Sequence, residues 1–429
     1  MVALATVAGC SSGSTPAASG TAAASGTAAA DRTGSADPIV VGGLGDLTVG
    51  TGEAEGFEAG IARFNRSGGL DGRQIKFVGW DDEGFSAQAS LADAQQLVLS
   101  HHVMAIVPVE SAVATGAVAA FLSQSKVPFI GWATDAAFAA APAWGLGING
   151  NQTSTSVQGI VGMDQLLAAS HDADHPKDAK IALIGENVAS AAAAVHDFAG
   201  LASDAGMDVV YQETPIPLSG EIDYEPFAAN LISSGANIVY EITDGPNAIG
   251  LAAALKDQGF KGMIVNGSTY YPGQLASQQA EAAELSGIYV ENEFPSDEND
   301  TPAVRQAISD LKSIGQPPYL TQGVSVGYWS ALVFEQMLQA TLKAVGGDPA
   351  KVTGATLERT VNSGFTYTDT LAGGIGTEHF PAAESTPTGC GTLVQAVGDQ
   401  YRQVEPYQCL GAVDVTTGKT VSQLTGQSQ

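Results

Sequence analysis

The chain has 429 residues, roughly three times an ordinary domain, so a single small module is excluded and two packed lobes with additions are expected. Apolar residues make up 44% and charged residues 14%, enough for a packed interior and too little charge for wholesale disorder. Lys and Arg number 17 against 45 Asp and Glu, a net charge of −28; with no basic stripe to offset it, such a surface repels phosphate backbones and anionic headgroups, which excludes nucleic-acid binding.

The first residues, MVALATVAGC, are apolar and end in Val7-Ala8-Gly9-Cys10, small residues directly before a cysteine. This resembles the lipobox of bacterial lipoproteins, although no Lys or Arg precedes the apolar stretch. The resemblance implies that residues 1–9 are a signal-peptide remnant and that Cys10 carries a diacylglyceryl anchor. Residues 10–36 then read as a disordered tether, because Ser11 to Ala36 is almost wholly Ser, Gly, Thr and Ala and cannot bury enough surface to fold. Such a coil spans about 28 Å on average. Its charges, Asp31 and Arg32, cancel, so the body carries all of the acidity. No apolar run reaches the length of about 18 residues that a membrane span needs; the best candidate, Ala105 to Leu122, is broken by Pro108 and Glu110.

From Asp37 onward, short β-branched runs alternate with helical patterns, which predicts an α/β architecture with parallel sheets. Ile39 to Gly43 is the first strand, and a helix over about Glu53 to Ser67 follows with Phe57, Ile61 and Phe64 as its buried stripe. The cluster Asn65 to Gly72 ends it. Ile75 to Trp80 is the second strand. A helix with Ala87, Leu91, Ala94 and Val98 on one face, a strand at Met104 to Val109, a helix to about Gln124 and a strand at Val127 to Trp132 complete a doubly wound lobe. The pattern restarts with a helix near Thr155 to Ser170, a strand at Lys180 to Ile184 and a helix carrying Val195, Phe198 and Ala202. Strands at Val209, Ile238 to Glu241 and Met263 to Val265 follow, with helices between them. Thr301-Pro302 opens another helix, and Val324 to Ala344 forms a long amphipathic one.

The chain closes on a hairpin. Residues 391–408 alternate, with a turn signal at Gly398-Asp399, and the flanking cysteines are centred on Asp399 and Gln400. Strands folding back there place Cys390 and Cys409 opposite each other within one residue of register. This predicts a cross-strand disulfide worth about 3 kcal/mol in the chain-entropy picture. With Cys10 lipidated, the other two cysteines make an even pair, and a disulfide points to an oxidising compartment.

The block FNRSGGLDGRQIKFVGWDDEGFSAQAS, followed in order by VMAIVPVESA, VPFIGWATDAA, AKIALIGEN and ANIVYEITDGPNAIGLAAALKDQGFKG, resembles type I periplasmic binding proteins. Within them it is similar to the branched-chain amino-acid (leucine/isoleucine/valine) receptors of ABC importers, over roughly Asp37 to Val413. The GG-x-x-GR turn and Asp81-Asp82 are the more specific features. The resemblance implies two doubly wound parallel-sheet lobes joined by three crossovers, with the ligand between them. It divides the chain into lobe 1 at 37–148 and 293–362, lobe 2 at 149–292 and 363–415 with the hairpin, and a flexible tail at 416–429.

Carried over by position, the ligand contacts fall in lobe 1 at Glu110, Ser111 and Ala112 after the third strand and at Ala133, Thr134 and Asp135 after the fourth. In lobe 2 they fall at Ser190, Asp244, Gly245 and Ser268. The family holds an amino acid's carboxylate on the lobe 1 loops through hydroxyls and backbone amides. This chain departs from the family where a glutamate neutralises the ammonium, having Ser268, and where an aromatic lid residue stands, having Ser190. Asp244 or Glu241 is the nearest substitute for the glutamate, and Glu110 would compete with a ligand anion. The expected ligand is therefore a small polar neutral or amine-bearing molecule rather than an ordinary branched-chain amino acid.

Other signals are weaker. Gly323-Val324-Ser325-Val326-Gly327 matches a nucleophile elbow, with Asp369 and His379 in hydrolase order, but the preceding Pro317-Pro318-Tyr319-Leu320 is a poor strand and the helical pattern runs on through Met337. Gly43-Leu44-Gly45 lacks the third glycine of a dinucleotide fingerprint because position 48 is Thr, and Gly418-Lys419-Thr420 lacks the earlier P-loop glycine because position 413 is Val. His171, Asp172, Asp174 and His175 read as a solvated loop rather than a metal site, and His101-His102 as a helix end. The expectation is a monomeric, lipid-anchored, non-enzymatic solute receptor outside the cytoplasm, working with an ABC permease and its ATPase and needing neither cofactor nor metal. A serine hydrolase using Ser325 and a sensory ligand-binding module are the alternatives.

Overall fold

A computed structural model describes residues 37–47, 51–151, 158–159, 166–167, 169–170, 174–218, 222–277, 279–381, 390–409, 412–414 and 419–420. Cys10, the tether, His171, Asp172 and most of the helix expected near Thr155 to Ser170 lie outside the described residues.

The first half is a five-stranded parallel sheet in the order β2-β1-β3-β4-β5, built from β1 (Ile39–Gly45), β2 (Ile75–Asp82), β3 (Ala105–Glu110), β4 (Phe129–Ala133) and β5 (Gly145–Asn151). β3 is buried along its whole length, as a central strand covered on both faces must be. Pro108 has no N–H to give the ladder, and pairing with both neighbours slips beside it: Ile106 aligns with Gly42 and Phe129, but Val109 with Leu44 and Gly131.

The helices bury the faces their sequences dictate, with one exception. In helix Glu53–Arg66, Phe57, Ile61 and Phe64 are buried, with Glu55 in the first turn and Arg63 and Arg66 in the last, charges that suit the helix dipole. In helix Ala87–Leu99 the buried residues are Ser90, Ala94 and Leu97, while Leu91 and Val98 are half-buried and Ala87 is exposed. The expected stripe is therefore rotated, because Ala and Ser are small enough to take either side.

The long helix Gln322–Ala344 lies against Glu53–Arg66, and Thr321 caps it by accepting from the Val324 N–H at 3.2 Å. Glycine makes this approach possible. A Cβ on Gly56 would stand 2.1 Å from the Val324 carbonyl oxygen, and one on Gly327 would stand 2.0 Å from that of Glu53. Buried Asp310 then ties three elements together, pairing with Arg63 at 3.2 Å and Arg66 at 3.4 Å while Tyr328 donates to it at 3.0 Å.

The short strands β6 (Gln158–Gly159), β12 (Thr366–Tyr367) and β13 (Glu378–His379) stand outside both main sheets, and the second half is a seven-stranded sheet in the order β15-β14-β11-β10-β9-β7-β8. β7 (Lys180–Glu186), β8 (Asp208–Ile216), β9 (Ile238–Ile242), β10 (Met263–Asn266) and β11 (Tyr289–Asn292) run parallel; β14 (Cys390–Val397) and β15 (Gln400–Cys409) add an antiparallel edge. The chain passes to this sheet between β5 and β7, returns after β11 to helices Pro302–Ser313 and Gln322–Ala344, and comes back between Pro381 and Cys390. These three crossings give the α/β, doubly wound, two-lobed architecture expected from the sequence.

The hairpin turns at Gly398-Asp399, where Val397 pairs with Gln400. Two one-residue register shifts, flanking Leu393, then bring Cys390 opposite Cys409, and the two form a disulfide with Cα atoms 3.9 Å apart. Two boundaries differ from those expected. Phe365, Tyr367, Ile375 and Phe380 pack in the core of the first sheet, so the chain stays with lobe 1 well past residue 362. Lys419–Thr420 pairs with Ala412–Asp414, which in turn pairs with Gln158–Gly159, so the tail expected from 416 contributes a strand. Among the described residues no helix is long and apolar enough to cross a membrane.

Candidate functional site

Parallel sheets place their loops and helix N-termini beyond the carboxyl ends of the strands, and ligands gather where strand order reverses. The reversals lie between β1 and β3 in the first sheet and between β7 and β9 in the second. A cavity of about 210 Å³ is lined from both places, within one compact unit. Its lobe 1 wall consists of Phe85, Ala112, Trp132, Thr134 and Gln322 and carries no charge. Its lobe 2 wall is acidic, with Glu186, Glu241, Asp244, Glu291 and Glu293.

Each acid stands on a strand near its carboxyl end or just beyond it. Glu186 ends β7, and its Oε1 accepts from the Asp244 N–H at 2.9 Å and Asn247 Nδ2 at 2.7 Å. Burial pushes its carboxyl up to about 7 against the pull of those donors. Asp244 caps helix Gly245–Asp257 by accepting from the Asn247 N–H, and burial raises its carboxyl too. Glu241, on β9, is 1% exposed; Oε2 accepts from Asn266 Nδ2 at 3.4 Å, and Oε1 has no hydrogen-bond partner. Burial holds it well above the usual carboxylate range, opposed by Asn266 and by Lys256. Glu291 accepts from the Tyr240 hydroxyl, and Glu293 accepts from Trp132 Nε1 at 2.9 Å. That last bond links β4 of lobe 1 to the chain leaving β11.

Of the expected contacts, Ala112, Thr134, Ser190, Asp244, Gly245 and Ser268 line the cavity. Ser268 Oγ is buried without a partner, as is Thr243 Oγ1 beside it. Glu110, Ser111, Ala133 and Asp135 do not line it and are fully or almost fully buried. Ser111 Oγ is occupied by its own loop, accepting from the Val113 N–H at 3.1 Å and the Ala114 N–H at 2.8 Å while donating to Glu83. Asp135 Oδ1 accepts from the Ala137 N–H at 2.6 Å as the cap of helix Ala136–Ala140. The lining residues not anticipated include Trp132, Glu186, Phe198, Tyr240, Tyr271 and Glu291. Position relative to the strand ends was the available signal, since Trp132, Glu186 and Glu291 each stand at or next to a carboxyl end.

A periplasmic binding protein family model matches residues 38–400. The chain belongs to that family. Leu/Ile/Val-binding protein homolog 1 of Brucella abortus is 25% identical to this binding protein over 312 residues, 71% of this chain and 77% of the relative. Among solved structures, a fatty acid ABC transporter substrate-binding protein from Thermomonospora curvata superposes with a TM-score of 0.70 at 19% identity, covering 90% of this chain and 95% of its own. A solute-binding protein from R. palustris in complex with 4-hydroxybenzoate gives 0.67 at 19%, covering 87% and 98%. A branched-chain amino acid ABC transporter protein from Thermus thermophilus with bound valine gives 0.67 at 16%, covering 88% and 97%. The shared fold thus accompanies anionic, zwitterionic and fatty ligands in those proteins.

The hydrolase alternative meets a different geometry. Ser325 lies inside helix Gln322–Ala344 with 0% exposure, so the elbow glycines serve helix packing. Asp369 accepts from the N–H groups of Leu371 and Gly374 within its own loop, and His379 contacts Thr366. Gly43 and Gly45 lie within β1, where a Cβ on Gly45 would stand 1.8 Å from the Glu110 carbonyl oxygen. Asp174 and His175 lead into the short turn Pro176–Asp178, and His101-His102 comes just after Ser100, the C-cap of helix Ala87–Leu99.

Proposed function

We propose that this binding protein is the solute receptor of an ABC importer, capturing a small polar organic ligand, an amino acid, an amide or a related molecule, by hinge closure of its two lobes. The observation that carries the reading is the cavity lined from both sheets at the carboxyl ends of their strands. Closure over such a site excludes water and creates a liganded form that a permease can distinguish. Ala112, Thr134, Ser190, Asp244, Gly245 and Ser268 are the proposed contacts, with Glu110, Ser111, Ala133 and Asp135 shaping the loops behind them.

The body works outside the cytoplasm as a monomer, held to the outer face of the membrane by a lipid on Cys10, with the permease and its ATPase as partners. The Cys390–Cys409 disulfide supports an oxidising compartment, and the lipobox-like Val7 to Cys10 supports the anchor. A thermal-shift screen against amino acids, amides, polyamines and small carboxylates tests the reading, because a ligand that binds only the folded state must raise the melting temperature. A binding solute should also alter Trp132 fluorescence; absence of any stabilising solute across these classes counts against it.

A further inference from the structure

Resting on the solute-binding reading above, we propose that the cavity selects an organic cation that carries no carboxylate, an ammonium on a compact apolar or aromatic body. Five carboxyl groups line its lobe 2 wall, and among the described residues no Lys, Arg or His lines it. Lys256, the basic group that acts on Glu241 electrostatically, is turned away, its Nζ donating to the carbonyls of Glu284 and Ser286.

The lining holds unmet acceptors for an ammonium. Glu241 Oε1 is buried without a donor, and the oxygens of Ser268 and Thr243 beside it are likewise unpartnered. A buried acceptor left without a donor costs free energy that a ligand N–H recovers. Trp132, Tyr240, Phe198, Tyr271 and Phe85 add aromatic rings to the same cavity, the surface on which alkylated ammonium groups rest most favourably. Phe85 is held at a φ of 55°, a left-handed conformation that bulky residues rarely adopt.

The other half of a zwitterion finds no equivalent welcome. Lobe 1 donors around the expected contacts are already used, the amides of Val113 and Ala114 by Ser111 Oγ, that of Ala137 by Asp135, that of Thr134 by the Trp132 carbonyl, and the Thr134 hydroxyl by the Ser111 carbonyl. Behind them stand the buried carboxyl groups of Glu83, Glu110 and Asp135, and five more line the opposite wall, so a ligand carboxylate would meet acids on both sides, with no cation and only Gln322 and a few hydroxyls to donate. Desolvating a carboxylate there is unfavourable, and selection against anions and zwitterions follows from that mismatch.

The test compares probes of matched body on the full chain by titration calorimetry and melting: leucine against isopentylamine, and benzoate against benzylamine and benzyltrimethylammonium. The amines should bind and raise the melting temperature, with leucine and benzoate weaker by at least about tenfold. Glu241→Gln should weaken the amines by at least about tenfold. It should leave the unliganded melting temperature unchanged or higher, since Gln copies the protonated acid. Leucine or benzoate binding more tightly than its amine partner overturns the inference and leaves the solute-binding reading standing. Amines that bind Glu241→Gln as tightly as the parent, or that fail to bind at all, also overturn it; silence of every solute class removes the solute-binding reading as well.

Discussion

Glu110→Gln should stabilise this protein at neutral and alkaline pH, an unusual outcome for a substitution at the centre of a lobe. Glu110 ends β3 with 0% exposure, and neither carboxyl oxygen meets a hydroxyl, amide or backbone donor. The Glu53 carboxyl, also fully buried in the first turn of its helix, faces it, and a hydrogen bond between the two needs a shared proton. Burial pushes Glu110 up to about 7 from an ordinary 4.5, with Asp46 adding to the rise. Because the folded value lies above the unfolded one, the folded state holds a proton that the unfolded chain has released. Stability is then full below about 4.5 and declines as pH rises to about 7. The difference of roughly 2.5 units corresponds to about 3 kcal/mol. Gln replaces the neutral acid in shape and can accept from protonated Glu53, so the variant should lose this decline and melt roughly 5 °C higher than the parent near pH 8. Melting curves of both proteins from pH 4.5 to 8.5 at constant ionic strength read this directly. Equal pH slopes, or a variant less stable at pH 8, would refute the argument.

Replacing Cys390 and Cys409 together by Ser should lower stability by about 3 kcal/mol in denaturant melts, while reductant should lower the parent and leave the double variant unmoved. Gly327→Ala forces a Cβ to within 2.0 Å of the Glu53 carbonyl oxygen and should cost about 3 kcal/mol in the same assay; a neutral result would mean that the two helices can separate freely. Binding of an ammonium ligand should release protons and strengthen as pH rises through about 7, because Glu186 sits near that value with Asp244, Glu241 and Tyr224 around it, and a cation favours its ionised form. Calorimetry in buffers of different ionisation heat checks this, and proton uptake contradicts it. With a net charge of −28 behind the acidic wall, the association rate of such a ligand should fall steeply with salt while its dissociation rate changes little.

The alternation of strands and helices was legible because most strands are β-branched runs closed by turn residues, as in Ile39–Gly45 and Ile238–Ile242. β5 was not, since Gly-Leu-Gly-Ile-Asn-Gly-Asn has too little branched surface to read as a strand. The Ala-rich helix Ala87–Leu99 misled for a related reason: buried Ser90 and exposed Ala87 differ in size too little for periodicity to tell them apart. The disulfide could be read from position sums because the hairpin is local, although the two shifts that bring the cysteines into register have no sequence signature. At the site, order along the chain located six lining residues. It did not reveal that Ser111 and Asp135 spend their oxygens on their own helix starts, which depends on loop conformation.

The two facing rims solve the same packing problem with opposite consequences. Both collect acids at strand ends, where parallel sheets direct their loops. In lobe 1 those acids are sealed in, Glu110 against Glu53 and Glu83 against the Ser111 hydroxyl, so the surface turned to the cavity is Trp132, Thr134, Phe85, Ala112 and Gln322. In lobe 2 the acids reach the cavity wall, and Glu241 retains an oxygen with nothing to accept. Closing a neutral, partly aromatic wall over an acidic one removes water between them and lowers the local dielectric. The attraction of a trapped cation to Glu241 and Glu186 then strengthens, while closing the cleft empty strips water from acids that have no counter-charge. On the proposed reading, these acids therefore favour the open form without ligand and the closed form with it, which gives a solute receptor a reason to close only when loaded.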